Sequence, residues 1–224
     1  KNKLKKFKIQ NCVVAVSGGP DSLALSALAK AYSYEKKIKI KYVLIDHKIR
    51  VESSREANQV KNLLKKNKIT IHILVNKRKV VKNIQGQARK IRYEMLTNFC
   101  IKNRITTLLT AHNLEDQVET FFIRLSRGSG LTGLSSMELF SPLERNVKLL
   151  RPLLEIKKKV LVKISKVVFG KYIKDPSNKK NRYLRTKIRN LKKPLTKSGI
   201  SYDQIIKSIN NLASSKLTLD EYFK

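Results

Sequence analysis

Tryptophan is absent from the 224 residues, and cysteine occurs only twice, at Cys12 and Cys100, far apart and outside any CxxC or Cys/His spacing. That excludes a disulfide framework and offers no local site for zinc, an iron–sulfur cluster or a redox pair, so both read as buried thiols. Histidine is nearly as scarce: His47, His72 and His112 are too scattered for a sequence-local metal site. No apolar run reaches the roughly 18 residues of a membrane span, and residues 1–10 lack the apolar centre of a signal peptide, so no membrane partner is expected and a cytoplasmic protein is. Acids are the last scarcity, with 16 Asp and Glu against 50 Lys and Arg, a formal net charge of +34.

What is present is enough for one substantial α/β domain with a tail. Hydrophobic residues make up 41% of the chain with aromatics at 7%, which suits a core of Ile, Leu and Val. Charge of this size favours a nucleic-acid partner through phosphate neutralisation. The abundance of Lys, Asn and Ile equally fits AT-rich coding, so composition alone leaves both open. Against that background the acids at Glu115, Asp116 and Glu119 form a local concentration that calls for a reason.

Apolar β-branched runs at Asn11 to Val16, Lys39 to Asp46, Ile69 to Val75 and Ile105 to Ala111 predict strands. Between and after them, Ser22 to Tyr32, Glu52 to Lys66, Gly86 to Lys102 and Leu114 to Arg127 carry helical periodicity. Alternation of this kind predicts a doubly wound, mainly parallel sheet of about five strands, with ligands beyond the strands' carboxyl ends. A Gly-containing stretch from Gly128 to Gly133 leads to a hairpin-like region ending at Leu150. Leu154 to Phe169 reads as a basic helix, Asp175 to Arg189 as polar with a turn at its start, and about Tyr202 to Ser214 as a last helix before a polar tail. The expected division is a catalytic domain over residues 1–192 and a basic helical arm over 193–224.

Ser17-Gly18-Gly19-Pro20-Asp21-Ser22 joins the first strand to the first helix. Glycines let a phosphate approach the backbone, Ser17 and Ser22 offer hydroxyl donors, and the helix start favours an anion. Pro20 suits a first helical position. Asp21 is expected either to cap the helix or to help place Mg²⁺. No Gly-Lys-Ser/Thr follows, which disfavours kinase-like transfer of a terminal phosphate. The loop resembles the N-type ATP pyrophosphatase (PP-loop) signature, which implies a Rossmann-like, adenine nucleotide alpha hydrolase-like fold, attack on the α-phosphate of ATP and release of pyrophosphate.

Further segments follow in order: Asp46-His47-Lys48-Ile49-Arg50-Val51-Glu52-Ser53, Gln85-Gly86-Gln87-Ala88-Arg89-Lys90-Ile91-Arg92-Tyr93, and Thr110-Ala111-His112-Asn113-Leu114-Glu115-Asp116-Gln117-Val118-Glu119-Thr120. After these come Arg124, Arg127-Gly128-Ser129-Gly130-Leu131, Arg151-Pro152-Leu153-Leu154, the turn Asp175 to Asn178, Asn181, Arg182 and Arg185. Together, over residues 13 to 189, they resemble the tRNA(Ile)-lysidine synthetase family. The resemblance implies an ATP-dependent ligase that adenylates the wobble cytidine of tRNA(Ile) bearing a CAU anticodon and joins free L-lysine to its C2, with no DNA substrate. It assigns Asp116 and Glu119 to lysine, with Arg182 and Arg185 closing over the substrate.

Read from the residues, Asp46 can accept from a ribose, position Mg²⁺, or simply cap a turn, with His47 and Arg50 beside it as donors. Arg89, Arg92 and Tyr93 share a helical face that either grips tRNA or is a solvated basic surface. Arg124 is expected on the same RNA, and Arg127, Gly128 and Gly130 near the nucleotide. Asn113 is expected to cap the helix after it, and Asp116 is the candidate base, with Asp46 and Asp21 counted as catalytic through Mg²⁺. Two rivals remain: a tRNA thiolase of the same superfamily, which needs paired cysteines, and a non-catalytic RNA-binding protein. Many members of the family carry C-terminal domains, so a trimmed chain and a minimal enzyme both fit; nothing marks an oligomeric interface.

Overall fold

The computed structural model describes residues 9–48, 52–78, 84–173 and 184–223. Arg50, Arg182 and the turn at 175–178 lie outside them. The chain divides into two compact units: Lys1–Ala111, Phe140–Pro152 and Lys159–Lys174 form one, and His112–Leu139, Leu153–Lys158 and Asp175–Lys224 the other.

The first unit holds a six-stranded sheet. Its strands are β1 (Asn11–Val16), β2 (Lys39–Asp46), β3 (Ile71–Val75), β4 (Thr107–Leu109), β5 (Phe140–Pro142) and β6 (Lys148–Leu150), in the order β3-β2-β1-β4-β6-β5. All pairings are parallel except β5 with β6, which accounts for the hairpin-like region seen in sequence. Val13 and Val14 are both fully buried, as expected of a central strand covered on both faces. Helices α1 (Pro20–Lys36), α2 (Ser53–Lys66) and α3 (Ile84–Lys102) make the crossovers, and α6 (Lys158–Phe169) follows the sheet. Val13 and Val43 pack with Leu96 and Cys100 of α3, so the alternation of a strand turns Val14 and Leu44 to the opposite face. The chain passes from β1 outward to β2 and β3, then returns to place β4 on the other side of β1. That reversal puts the loop after β1 at the switch point where such sheets bind ligands.

The second unit is helical. Helix α4 (Leu114–Leu125) packs its Leu114 and Val118 against Tyr202, Ile205 and Ile209 of α9 (Tyr202–Tyr222), with Phe121, Phe122 and Leu195 around them. Short helices α5 (Leu131–Leu134), α7 (Leu184–Asn190) and α8 (Lys192–Lys197) complete it. Residues 184–189 are therefore helical, not merely polar, because Ile188 supplies a buried anchor. Helix α9 runs well past Ser214. Ser201 and Gln204 form a capping box at its start, no Gly or Pro interrupts it, and its last turns expose Leu217 and Tyr222, so no buried stripe betrayed them in sequence. Helix α6 begins at Lys158 instead of Leu154, since Leu153 and Leu154 are buried in a turn closed by the Ile156 amide on the Leu153 carbonyl.

Gly18 holds the first unit's loop against α2. Its φ is +79°, and a Cβ there would stand 2.4 Å from Cγ2 of Val60. Gly18→Ala should cost about 1–3 kcal/mol in denaturant unfolding, from backbone strain added to the clash. Adding Val60→Ala should restore part of that loss and not all of it, because the strain in φ remains.

Candidate active site

The loop after β1 closes on one hydroxyl. Ser22 Oγ donates to the Gly19 carbonyl (3.0 Å) and accepts from the Ser17 amide (3.1 Å) and Ser17 Oγ (3.2 Å). The Gly18 carbonyl accepts from the Ile173 amide at 3.0 Å, which pins the outer side of the loop. Of the two hydroxyls expected to face phosphate, Ser17 is exposed, whereas Ser22 is buried and braces the loop. Gly19 is the N-cap of α1, with no side-chain cap bond, and Pro20 follows at the first helical position as expected. Asp21 thus does not cap the helix: it already lies within the first turn, too far in to serve as the capping residue. Amides of a first helical turn have no intrahelical acceptor, so the arrangement suits an anion.

Asp46 ends β2 and is 3% exposed. Oδ1 accepts from the Lys48 amide (3.0 Å) and Ser53 Oγ (2.7 Å), Oδ2 accepts from Ser54 Oγ (2.5 Å), and Lys48 Nζ lies 3.8 Å away. Burial pushes this carboxyl upward, but the Ser54 and Ser53 hydroxyls, the Lys48 amide and the Lys48 charge outweigh it and hold the group below its usual value. Asp46 is thereby engaged in its own turn onto α2, a poor fit for a magnesium ligand. Asp21, half-buried in the first turn beside the loop, fits better, because Mg²⁺ is commonly held by one or two carboxylates together with substrate phosphates. Among the described residues no group of three or more His, Cys, Asp or Glu is placed to hold a metal.

His47 accepts from Arg92 Nε at 3.1 Å through Nε2. Burial, reinforced by the Arg92 charge and opposed by Asp46, pushes its pKa from 6.5 down to about 4, so the ring is neutral near pH 7. Asn76, which nothing in the sequence singled out, donates from Nδ2 to the carbonyls of His47 (3.2 Å) and Arg78 (2.8 Å). Its one sequence signal was its place just past β3. On α3, Arg89 lies over the Tyr93 ring at 5.0 Å.

In the second unit the three clustered acids have different fates. Asn113 and Asp116 form a capping box at the start of α4: Asn113 accepts from the Asp116 amide (3.0 Å), and Asp116 Oδ2 accepts from the Asn113 amide (3.1 Å). Asp116 remains half-exposed. Glu115 accepts from the Lys158 amide (2.8 Å) and Lys192 (3.3 Å). Glu119 is 2% exposed and meets Arg189 through two bonds of 2.7 and 3.0 Å and Arg185 at 3.1 Å. Its pairing with Arg189, another residue missed in sequence, ties α7 to α4. Arg124, expected on RNA, donates from Nη1 to the carbonyls of Gly133 (2.7 Å) and Ser136 (2.8 Å) and fastens the loop after α4. Arg127, Gly128 and Gly130 are exposed on that loop.

A family model described as a PP-loop domain matches residues 1–195. The chain is 45% identical to the tRNA(Ile)-lysidine synthase of Orientia tsutsugamushi over 185 residues, 81% of this chain and 41% of that protein. It is 38% identical to the enzyme of that name from Wolbachia pipientis over 202 residues, 89% of this chain and 47% of the other. With that of Rickettsia typhi it shares 34% over 223 residues, 98% of this chain and 50% of the other. The chain thus spans two fifths to half the length of these relatives. Among solved structures it resembles a U34-tRNA thiolase from Methanococcus maripaludis with its [4Fe-4S] cluster, at TM-score 0.77 and 18% identity over 94% of this chain and 76% of that one, a likeness of fold.

Two measurements test these environments. Since the unfolded His47 takes a proton near 6.5 and the folded one only near 4, stability should fall as pH drops between those values. The same series on His47→Gln should lack that component. Separately, Glu119→Gln leaves two partly exposed guanidiniums and should cost about 1–3 kcal/mol. The double change Arg185→Gln with Arg189→Gln strands a buried charge and should cost more, about 3–5 kcal/mol; equal losses would contradict the buried-acid reading.

Proposed function

Because the chain belongs to the PP-loop domain family, we propose that it uses ATP to adenylate the wobble cytidine of tRNA(Ile) with a CAU anticodon, then joins free L-lysine to C2 of that base. The loop from Ser17 to Ser22 at the switch point of the sheet carries the ATP half of this reading. Likeness to lysidine synthases over most of the chain supports the substrate half.

Cytidine O2 attacks the α-phosphate, a P–O bond to the β-phosphate breaks, and pyrophosphate leaves. Loop amides and Ser17 receive the phosphates, and Ser22 keeps the loop shaped for them. Asp21 would hold Mg²⁺, which would offset phosphate charge. The ε-amine of lysine then attacks C2, AMP departs with the former O2, and one proton passes to a carboxylate. Asp116 takes that role, as its remaining oxygen sits on a helix start that the capping box holds in place. Glu119 and Arg185 act one step back, holding α7 against α4, and Asp46 shapes the rim. Arg50, Arg89 and Tyr93 would serve tRNA binding, and Arg127, Gly128 and Gly130 would offer donors to the nucleotide. The catalytic groups fall within residues 1–192; residues 193–224 supply α9, whose buried face supports α4. Converting the base this way makes the anticodon read AUA.

The thiolase reading lacks its sulfur chemistry: burial pushes the thiols of Cys12 and Cys100 up to about 12, with Cys100 adding to the effect at Cys12. Incubation with ATP, Mg²⁺, lysine and unmodified tRNA(Ile), followed by nucleoside mass analysis, should show a lysine adduct; its absence with ATP binding intact would sink the proposal. Asp116→Asn keeps the helix cap and should slow lysine transfer by about 10²–10⁴-fold, while tRNA-dependent pyrophosphate release persists.

A further inference from the structure

His47 follows the last residue of β2. Ile45 packs with Val43 against Leu96 and Cys100 of α3, so strand alternation turns Asp46 toward α2 and His47 back toward α3. Arg92 of α3 meets the ring there, donating from Nε to Nε2 at 3.1 Å. From the end of β3, the Asn76 side chain holds the carbonyls of His47 and Arg78. Arg78 in turn grips Glu94 of α3 through two bonds of 2.7 and 2.8 Å. The backbone and the ring of His47 are thus both fixed before any ligand arrives.

The bond from Arg92 decides the tautomer. A guanidinium has donors and no acceptor, so Nε2 must present its lone pair, and a neutral ring then carries its proton on Nδ1. The ring is neutral near pH 7, since burial and the Arg92 charge hold its pKa down at about 4. Nδ1 is buried and finds no hydrogen-bond partner among the described residues. A donor withheld from water without an acceptor is costly, so this one calls for an acceptor that the folded chain does not supply. Its place says which. Leu44 of β2 stands opposite Val16 of β1, which sets His47 level with the Ser17–Ser22 loop, one strand over. In doubly wound sheets the loop after the first strand takes phosphates, while an acid at the end of the next strand reads the ribose. Asp46 occupies that place, yet both of its oxygens are engaged by Lys48, Ser53 and Ser54. Reading the nucleoside is left to its neighbour.

We infer that His47 donates from Nδ1–H to the adenosine half of ATP, at a ribose hydroxyl or a ring nitrogen of the base, while the Ser17–Ser22 loop takes the phosphates. Arg92 is then a positioning residue, which acts by fixing the tautomer of His47. This rests on the reading of the Ser17–Ser22 loop as an ATP site.

The test measures binding of ATP, AMP and inorganic tripolyphosphate to the full chain and its variants. His47→Phe should weaken ATP and AMP alike, by about three- to tenfold as expected for one neutral hydrogen bond, and leave tripolyphosphate unchanged. Asparagine places its amide where Nδ1 stands and glutamine where Nε2 stands. His47→Asn should therefore keep most of the affinity, and His47→Gln should behave like His47→Phe. Against 2′,3′-dideoxyATP the His47→Phe loss disappears for a ribose acceptor and persists for a base nitrogen. In the unaltered protein, heteronuclear NMR of the ring at neutral pH should show the proton on Nδ1, with its resonance moved by AMP and not by tripolyphosphate. Arg92→Ala should let the other tautomer appear. A proton on Nε2 in the unaltered protein, an equal loss of tripolyphosphate in His47→Phe, or full ATP and AMP affinity in that variant would overturn the inference. If the unaltered protein binds no ATP, the loop's own reading falls and takes this one with it.

Discussion

A carboxylate taken out of water must be met by donors, and the donors that meet Asp46 fix the rim of the sheet-bearing unit. Leaving such a group unpaired would cost several kcal/mol or force it to take up a proton. Two serines at the start of α2 and one backbone amide supply what is needed. Meeting that demand ties the end of β2 to the start of α2, next to His47. The backbone carbonyl of Asp46 accepts from the Asn76 amide, so β3 ends in register with it. One buried acid therefore coordinates two strand ends and the helix that presses Val60 against Gly18.

The helical unit solves a similar problem with a different acid. Glu119 lies on the buried side of α4, and α7 brings two guanidiniums to it across 66 to 70 positions of chain. Asp116, three residues earlier on the same helix, needs only a local partner in Asn113. Helical spacing placed these two acids on one face, yet burial separates their chemistry: one is committed to structure, and the other keeps a carboxylate oxygen within reach of solvent. Glu115 lies between these cases, shared by a backbone amide and a lysine.

The same distinction explains what could be read from the sequence. Central parallel strands announce themselves as apolar runs, and a Gly-Gly-Pro turn between one of them and an amphipathic segment marks the phosphate loop without any tertiary information. The N-cap at Asn113 was equally local and equally legible, although its reciprocal bond with Asp116 was not. Ser22's inward turn was not, because it depends on how the loop closes over Gly19 and Ile173. Arg189 was hidden for another reason: among 50 cationic side chains no pattern distinguishes the one that will meet a buried glutamate. Arg124's bonds to two carbonyls were hidden in the same way, since nothing in a basic chain marks which arginine will fasten a loop.

That imbalance has a physical consequence for specificity. With 16 acids for 50 cations, the formal excess is 34 positive charges, most of which no acid can neutralise. Such a surplus attracts any polyanion, strongly and indiscriminately, and its effect fades as salt rises. Selecting one nucleotide or one base instead requires groups whose direction is set before the ligand arrives. In this protein direction comes from the scarce residues: Asp46 through the start of α2, Asn76 through the strand ends, Glu94 through Arg78, Glu119 through α7. The abundant charge supplies attraction, and the few buried acids and amides decide where that attraction is useful.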